Sequence, residues 1–124
     1  MKITTFDPMI VTKNAEDAVK VFEALGFEKR HNPTVGVKTE EVATTRLKDA
    51  NGFYIDIVQS DTIGQDLTEI RMNVDDFDEA YNLLMSHGFQ HLSENGIVDT
   101  GSAKAVGLKS PSGYVVSIVH HIKK

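Results

Sequence analysis

The chain reads twice. At an offset of about 62 residues the same succession of capping, apolar and turn residues recurs, and a self-repeat limits the possible folds more than any single motif does. Asn14–Ala15–Glu16–Asp17–Ala18–Val19 answers to Asp76–Phe77–Asp78–Glu79–Ala80–Tyr81, and Gly26–Phe27 to Gly88–Phe89. Further on the offset falls by one. Val42 to Lys48 matches Ala103 to Lys109, and Asn51–Gly52–Phe53–Tyr54 matches Ser112–Gly113–Tyr114–Val115. Chance likeness of one short motif would not keep a nearly constant spacing over so many features.

Each copy carries one helix signal. Asn14 is an N-cap residue, and Ala15, Ala18, Val19, Phe22 and Leu25 recur on one helical face. Gly26 supplies the left-handed residue on which helices commonly end. In the second copy Asp76 caps, with Glu79 as its capping-box partner. Phe77, Ala80, Tyr81 and Leu84 form the stripe, and Gly88 closes it. A single apolar stripe on each helix means that each lies on one face of a sheet.

The rest reads as strands and turns. Ile3–Thr12 and Leu67–Val74 precede the helices, and Phe27–His31 and Phe89–Ser93 follow them. Val42–Lys48 with Phe53–Gln59 closes the first copy, and Ala103–Lys109 with Tyr114–His121 closes the second. Asn51–Gly52 and Pro111–Ser112–Gly113 are the turns between. The stretch Asn32–Glu40 reads as a loop. The expectation is an α+β fold in one domain, residues 1–124, of two tandem βαβββ modules (1–60 and 67–124, with a linker at 61–66). They form a cupped, barrel-like mixed sheet with the helices outside. A ferredoxin-like βαββαβ plan is the competitor, and it leaves two strand pairs without a place.

Composition narrows the function classes. Cysteine is absent, which removes thiol nucleophiles, thiolate metal sites and disulfides, and suits a cytoplasmic protein. Eighteen acidic residues against 13 basic ones give a net charge of −5, a surface that repels phosphate backbones and anionic lipid. No apolar run reaches transmembrane length, and the first residues lead into a strand without a signal-peptide core. Neither nucleic acid nor membrane is expected as a partner.

The segment PMIVTKNAEDAVKVFEALGF resembles the opening of vicinal-oxygen-chelate modules, the superfamily of glyoxalases, bleomycin-resistance proteins and extradiol dioxygenases. DANGFYIDIV and SPSGYVVSIV resemble its closing hairpin, and the resemblance spans the chain. It implies a concave sheet face that binds a divalent ion through the first and last strands of each module, and it implies a homodimer. The family's ligand positions fall on Asp7, Asp56, Glu69 and Ser117. The family's histidines are missing there, and one acidic position has become serine.

Strand alternation puts the same residues together. Glu69, Arg71 and Asn73 share one side of their strand, while Ile70, Met72 and Val74 share the helix side. The same rule gives the polar face Asp7, Met9 and Val11, then Tyr54, Asp56 and Val58, then Val115, Ser117 and Val119, with Arg46 and Thr44 alongside. An oxygen-only cluster of this kind suits Mg²⁺, Mn²⁺ or Ca²⁺ rather than zinc, and the blander alternative is pairing of the acids with the arginines. His31, His87, His91, His120 and His121 lie off the ligand positions. Adjacent strand residues face opposite ways, so His120 and His121 cannot share an ion.

The leading expectation is a small-molecule-binding protein of this superfamily with a degenerate metal site and no cofactor. Arg71 and Arg46 would meet an anionic group of the ligand, and Tyr54, Met9, Val11, Asn73 and Val115 would line its contacts. The alternative is a hard-cation-dependent lyase, isomerase or epimerase acting on a small carbonyl compound, with Glu69 as general base. Dioxygenase chemistry is disfavoured without the two-histidine iron triad. A third class is an interaction module whose cup is closed by side chains.

Overall fold

In the computed structural model, residues 1–30 and 42–121 are described, and the expected loop Asn32–Glu40 and His31 lie outside them. Among the described residues there are two helices and nine strands, which rules out the ferredoxin-like plan. The chain divides into two compact units. One is Asp7–Thr68. The other combines Met1–Phe6 with Glu69–Lys124.

The Asp7–Thr68 unit holds β1 from Asp7 onward (β1, Ile3–Thr12), α1 (Ala15–Ala24), β2 (Glu28–Arg30), β3 (Val42–Lys48) and β4 (Tyr54–Ser60). Its strands run in the order β2-β3-β4-β1, antiparallel except for the parallel pair β1/β4. The other unit holds the start of β1, then β5 (Leu67–Val74) from Glu69 onward, α2 (Phe77–Ser86), β6 (Gln90–His91), β7 (Val98–Asp99), β8 (Ala103–Lys109) and β9 (Val115–His121). There β5 pairs parallel to β9, and β8 pairs antiparallel to β9, β6 and β7. Apart from β7, the repeat in sequence is thus a repeat in topology.

Alternation decides the core. Ile55 and Ile57 of β4, with Leu47 of β3, pack against Val19, Ala15, Ala18 and Phe22 of α1. In the other unit Met72 and Val74, Val106 and Leu108, and Val116 and Ile118 pack against Phe77, Ala80, Tyr81 and Leu84 of α2. Fully burying one such aliphatic side chain contributes about 1.5–3 kcal/mol, so these two clusters fix the strand registers. Within each unit the alternate residues, of β1 and β4 in one and of β5 and β9 in the other, are thereby forced onto the strand face away from its helix.

The helix ends follow the sequence closely at their C-termini. Gly26 and Gly88 take φ of 109° and 89°. Phe27 N–H donates to the Phe22 carbonyl and Phe89 N–H to the Leu84 carbonyl, the bond that closes a Schellman cap. Phe22 and Phe27 meet edge to face across the first of these caps, with ring centres 5.7 Å apart.

The N-termini differ from expectation. Asp76 caps α2 by accepting from the Glu79 N–H at 3.0 Å, but the Glu79 carboxylate pairs with the Met1 ammonium at 2.9 Å. Asn14 stands at the N-cap of α1 without a capping hydrogen bond from its side chain. Gln59 Oε1 accepts from the Ala15 N–H instead, at 3.1 Å. A side chain far along the sequence has taken over the cap. Strand β7, flanked by Gly96 and Gly101, carries too short an apolar run to be recognised from sequence.

Candidate functional site

In the Asp7–Thr68 unit, register brings Met9, Asp56 and Arg46 into one line across β1, β4 and β3. Arg46 Nε donates to Asp56 Oδ1 and Nη2 to Asp56 Oδ2, both at 2.9 Å, a two-point contact. Asp7 Oδ1 lies 3.7 Å from Arg46 Nη2. Asp7, Arg46 and Asp56 are all nine-tenths buried or more. Burial works against the Arg46 charge, but the hydrogen bonds and charge of Asp56, with the charge of Asp7, outweigh it and raise the guanidinium above its ordinary pKa.

Tyr54, half-buried, stacks under two cations. The Arg46 guanidinium carbon is 4.9 Å and Lys48 Nζ 5.3 Å from its ring centre. Its ring therefore props the arginine from below. Met9 and Val11 are half-buried on the same strand as Asp7.

In the other unit the corresponding line is Arg71, Ser117 and Gly107, across β5, β9 and β8. Glu69 lies opposite Val115, and Asn73 opposite Val119. Glu69 is 5% exposed, and among the described residues it forms neither a hydrogen bond nor an ion pair. Its pKa is raised from 4.5 to about 7; burial disfavours the carboxylate more strongly than the nearby Arg71 charge supports it. Arg71 is fully buried and has partners of its own. Asn73 Oδ1 is buried without a hydrogen-bond partner among the described residues.

Gly107 shapes the surroundings of Glu69. A β-carbon placed on it would lie 3.4 Å from Leu92 Cδ2 and 3.8 Å from Glu69 Oε1. The Leu92 side chain and the Glu69 carboxyl thus meet over a strand position that has no side chain. Leu92 belongs to the bend after β6, and its part was not visible in sequence because nothing in a loop pattern says which strand it covers.

A divalent cation fits neither unit as it stands. At Asp7 and Asp56 it would have to displace a guanidinium that already uses both Asp56 oxygens. In the other unit the positions expected to hold an ion carry Glu69 and the Ser117 hydroxyl. Among the described residues no three His, Cys, Asp or Glu side chains gather where they could hold a metal ion. Among the described residues of either unit, the oxygen-ligated Mg²⁺, Mn²⁺ or Ca²⁺ expected as an alternative thus finds fewer than three such ligands together.

Four of the five histidines are described. His87 is the C-cap residue of α2, and His120 and His121 end β9 opposite Lys104 and Ala103. His91 Nε2 is hydrogen-bonded to the Tyr81 hydroxyl at 2.5 Å, a contact the sequence does not announce. No described helix is long and apolar enough to cross a membrane.

No protein-family model and no curated protein sequence matches the chain. Solved structures do. A variant of methylmalonyl-CoA epimerase from Streptomyces coelicolor, in complex with 2-nitronate-propionyl-CoA, superposes with a TM-score of 0.64 at 18% identity, over 98% of this chain and 100% of that one. A glyoxalase I variant from Zea mays gives 0.69 at 13% identity, over 98% of this chain and 45% of its own. A glyoxalase/bleomycin resistance protein/dioxygenase superfamily member from Vibrio splendidus gives 0.58 at 14% identity, over 95% and 98%. The chain shares the fold of these structures, the vicinal-oxygen-chelate fold that the resemblance of its segments implied.

Proposed function

We propose that the chain is a small-molecule-binding protein that uses the vicinal-oxygen-chelate fold without its metal centre. The observation that carries this reading is the Arg46 guanidinium, held by Asp56 and Asp7 at two of the four positions where the superfamily keeps its ion. A guanidinium there neutralises the carboxylates and fixes their geometry, so the strand face is organised by protein alone. The ligand is a small polar or amphipathic compound, and the half-buried Met9, Val11 and Tyr54 supply apolar contact of the kind such sites use. The same reading takes the protein as a cytoplasmic homodimer with no nucleic-acid partner, which size-exclusion chromatography tests in its oligomeric part.

Two titrations test it. Mg²⁺, Mn²⁺, Ni²⁺ and Zn²⁺ are added to the protein and to Asp56→Ala, and a compound panel is screened by thermal shift. Stabilisation by a compound class with no stoichiometric metal binding is expected. Stoichiometric metal binding lost in Asp56→Ala would overturn the proposal.

Glu69 favours a second reading, a proton-transferring isomerase or epimerase. A buried carboxyl with a pKa of about 7 is matched to removing a proton next to a carbonyl at neutral pH. Because the fold is similar to that of methylmalonyl-CoA epimerase, acyl-CoA thioesters are the first substrates to try. Exchange of the α-proton for deuterium, followed by NMR, should occur with the native protein and not with Glu69→Gln. No exchange with either would remove this reading.

A further inference from the structure

The two units keep the same strand frame but fill it differently. Arg46 stands opposite Asp56, which stands opposite Met9; at the equivalent places Gly107 stands opposite Ser117, which stands opposite Arg71. Asp7, two residues before Met9, corresponds to Glu69, two residues before Arg71. In the first unit the acids enclose a guanidinium. In the second the guanidinium-bearing side chain is deleted to glycine, yet the acid remains, buried and without a hydrogen bond or ion pair among the described residues.

Buried carboxyls without partners are rare because desolvation goes uncompensated. Arg71 does not resolve this. Its charge, two residues along the same strand, favours the Glu69 carboxylate less than burial disfavours it, and Arg71 has partners of its own. Glu69 Oε1 instead points at the Gly107 position, within 3.8 Å of where a β-carbon would stand, beside the half-buried Leu92 side chain.

We propose that Glu69, Gly107 and Leu92 form a receptor for a small amidinium or guanidinium cation, which takes from outside the place that Arg46 fills from within the other unit. The planar cation donates two N–H bonds to the Glu69 carboxylate, as Arg46 does to Asp56, and the apolar stem of the ligand lies on Leu92. The Ser117 hydroxyl, in register with Gly107, is the adjacent acceptor. This names the ligand class for the small-molecule-binding reading and rests on it.

Calorimetric titration of the full chain with benzamidine and methylguanidinium, against acetamide and acetate, tests the proposal. The two cations should bind one to one with Kd on the order of 1 mM, and the neutral and anionic probes should not saturate. Glu69→Gln should weaken the cations at least about tenfold, the loss expected for a charge-assisted contact.

Gly107→Arg is the complementary variant. Its backbone is not in the left-handed region and an added β-carbon meets nothing closer than 3.4 Å, so the position accepts a β-carbon without strain. The new arginine should satisfy Glu69 internally, raise the melting temperature and abolish cation binding. The proposal is overturned if neither cation saturates the native protein, or if binding survives both substitutions. Should the cations fail while another compound class stabilises the protein, only the ligand class is wrong. Should no compound bind at all, the binding-protein reading falls with it.

Discussion

Replacing Glu69 by glutamine should change how stability depends on pH, and the size of the effect follows from burial. In the unfolded chain the carboxyl ionises near 4.5, whereas the folded protein holds the proton until about pH 7. Between those values the native state binds a proton that the unfolded state has lost, so stability falls as pH rises. The contribution is fully present below about pH 4.5 and fully lost above about pH 7. At about 1.4 kcal/mol for each tenfold change in the proton equilibrium, the rise is worth about 3 kcal/mol. Glutamine has nearly the same shape and does not titrate. Urea unfolding of both proteins at a series of pH values gives the stability difference directly, and the subtraction cancels the other titrating groups. Glu69→Gln should gain on the native protein by about 3 kcal/mol between pH 4.5 and 7 and remain level above that. A difference that stays flat across this window, or that grows as pH falls, would refute the claim that desolvation governs this side chain.

Asp56→Ala should cost about 3–5 kcal/mol in the same assay, because it leaves the buried Arg46 charge without its two-point partner. Replacing Arg46 and Asp56 together by methionine and leucine should cost much less, and equal losses for single and double variants would argue against a coupled pair. Gln59→Ala should destabilise by about 1 kcal/mol with early fraying of α1 in hydrogen exchange, since it removes the acceptor for the Ala15 N–H. Gly26→Ala should cost about 1–2 kcal/mol through its φ of 109° alone, because no atom stands within 4 Å of the added carbon. An unchanged melting temperature would mean that the turn relaxes.

Much of the fold was legible because its signals are local. Helical stripes, Gly26 and Gly88, and the two turn motifs each depend on neighbouring residues, and the near-constant offset between copies then fixes topology. The turns even repeat their backbone hydrogen bonds, Asp49 N–H to the Phe53 carbonyl and Ser110 N–H to that of Tyr114. Asp49 Oδ1 accepts from the Asn51 and Phe53 N–H groups, and Ser110 Oγ accepts from those of Gly113 and Tyr114. The cap of α1 was not legible, because Gln59 reaches it only once β4 lies beside the helix. Nor was the reach of the strands after α2, where β6 spans only Gln90–His91 and β7 follows.

The sequence by itself determined the doubled βαβββ plan and which side chains share a face, since alternation at period two needs no tertiary information. It therefore brought forward Asp7, Asp56, Glu69 and Ser117, with Arg46 and Arg71 beside them. It could not say which acids are paired. That depends on cross-strand register and on what lies above each strand, quantities set by packing in three dimensions. Register puts Arg46 opposite Asp56 and neutralises one copy of the repeat. Gly107 and Leu92 enclose Glu69 in the other, where withdrawal from water raises its pKa. One pattern, written twice, thus yields a closed ion pair and a buried acid, and only the surrounding structure distinguishes them.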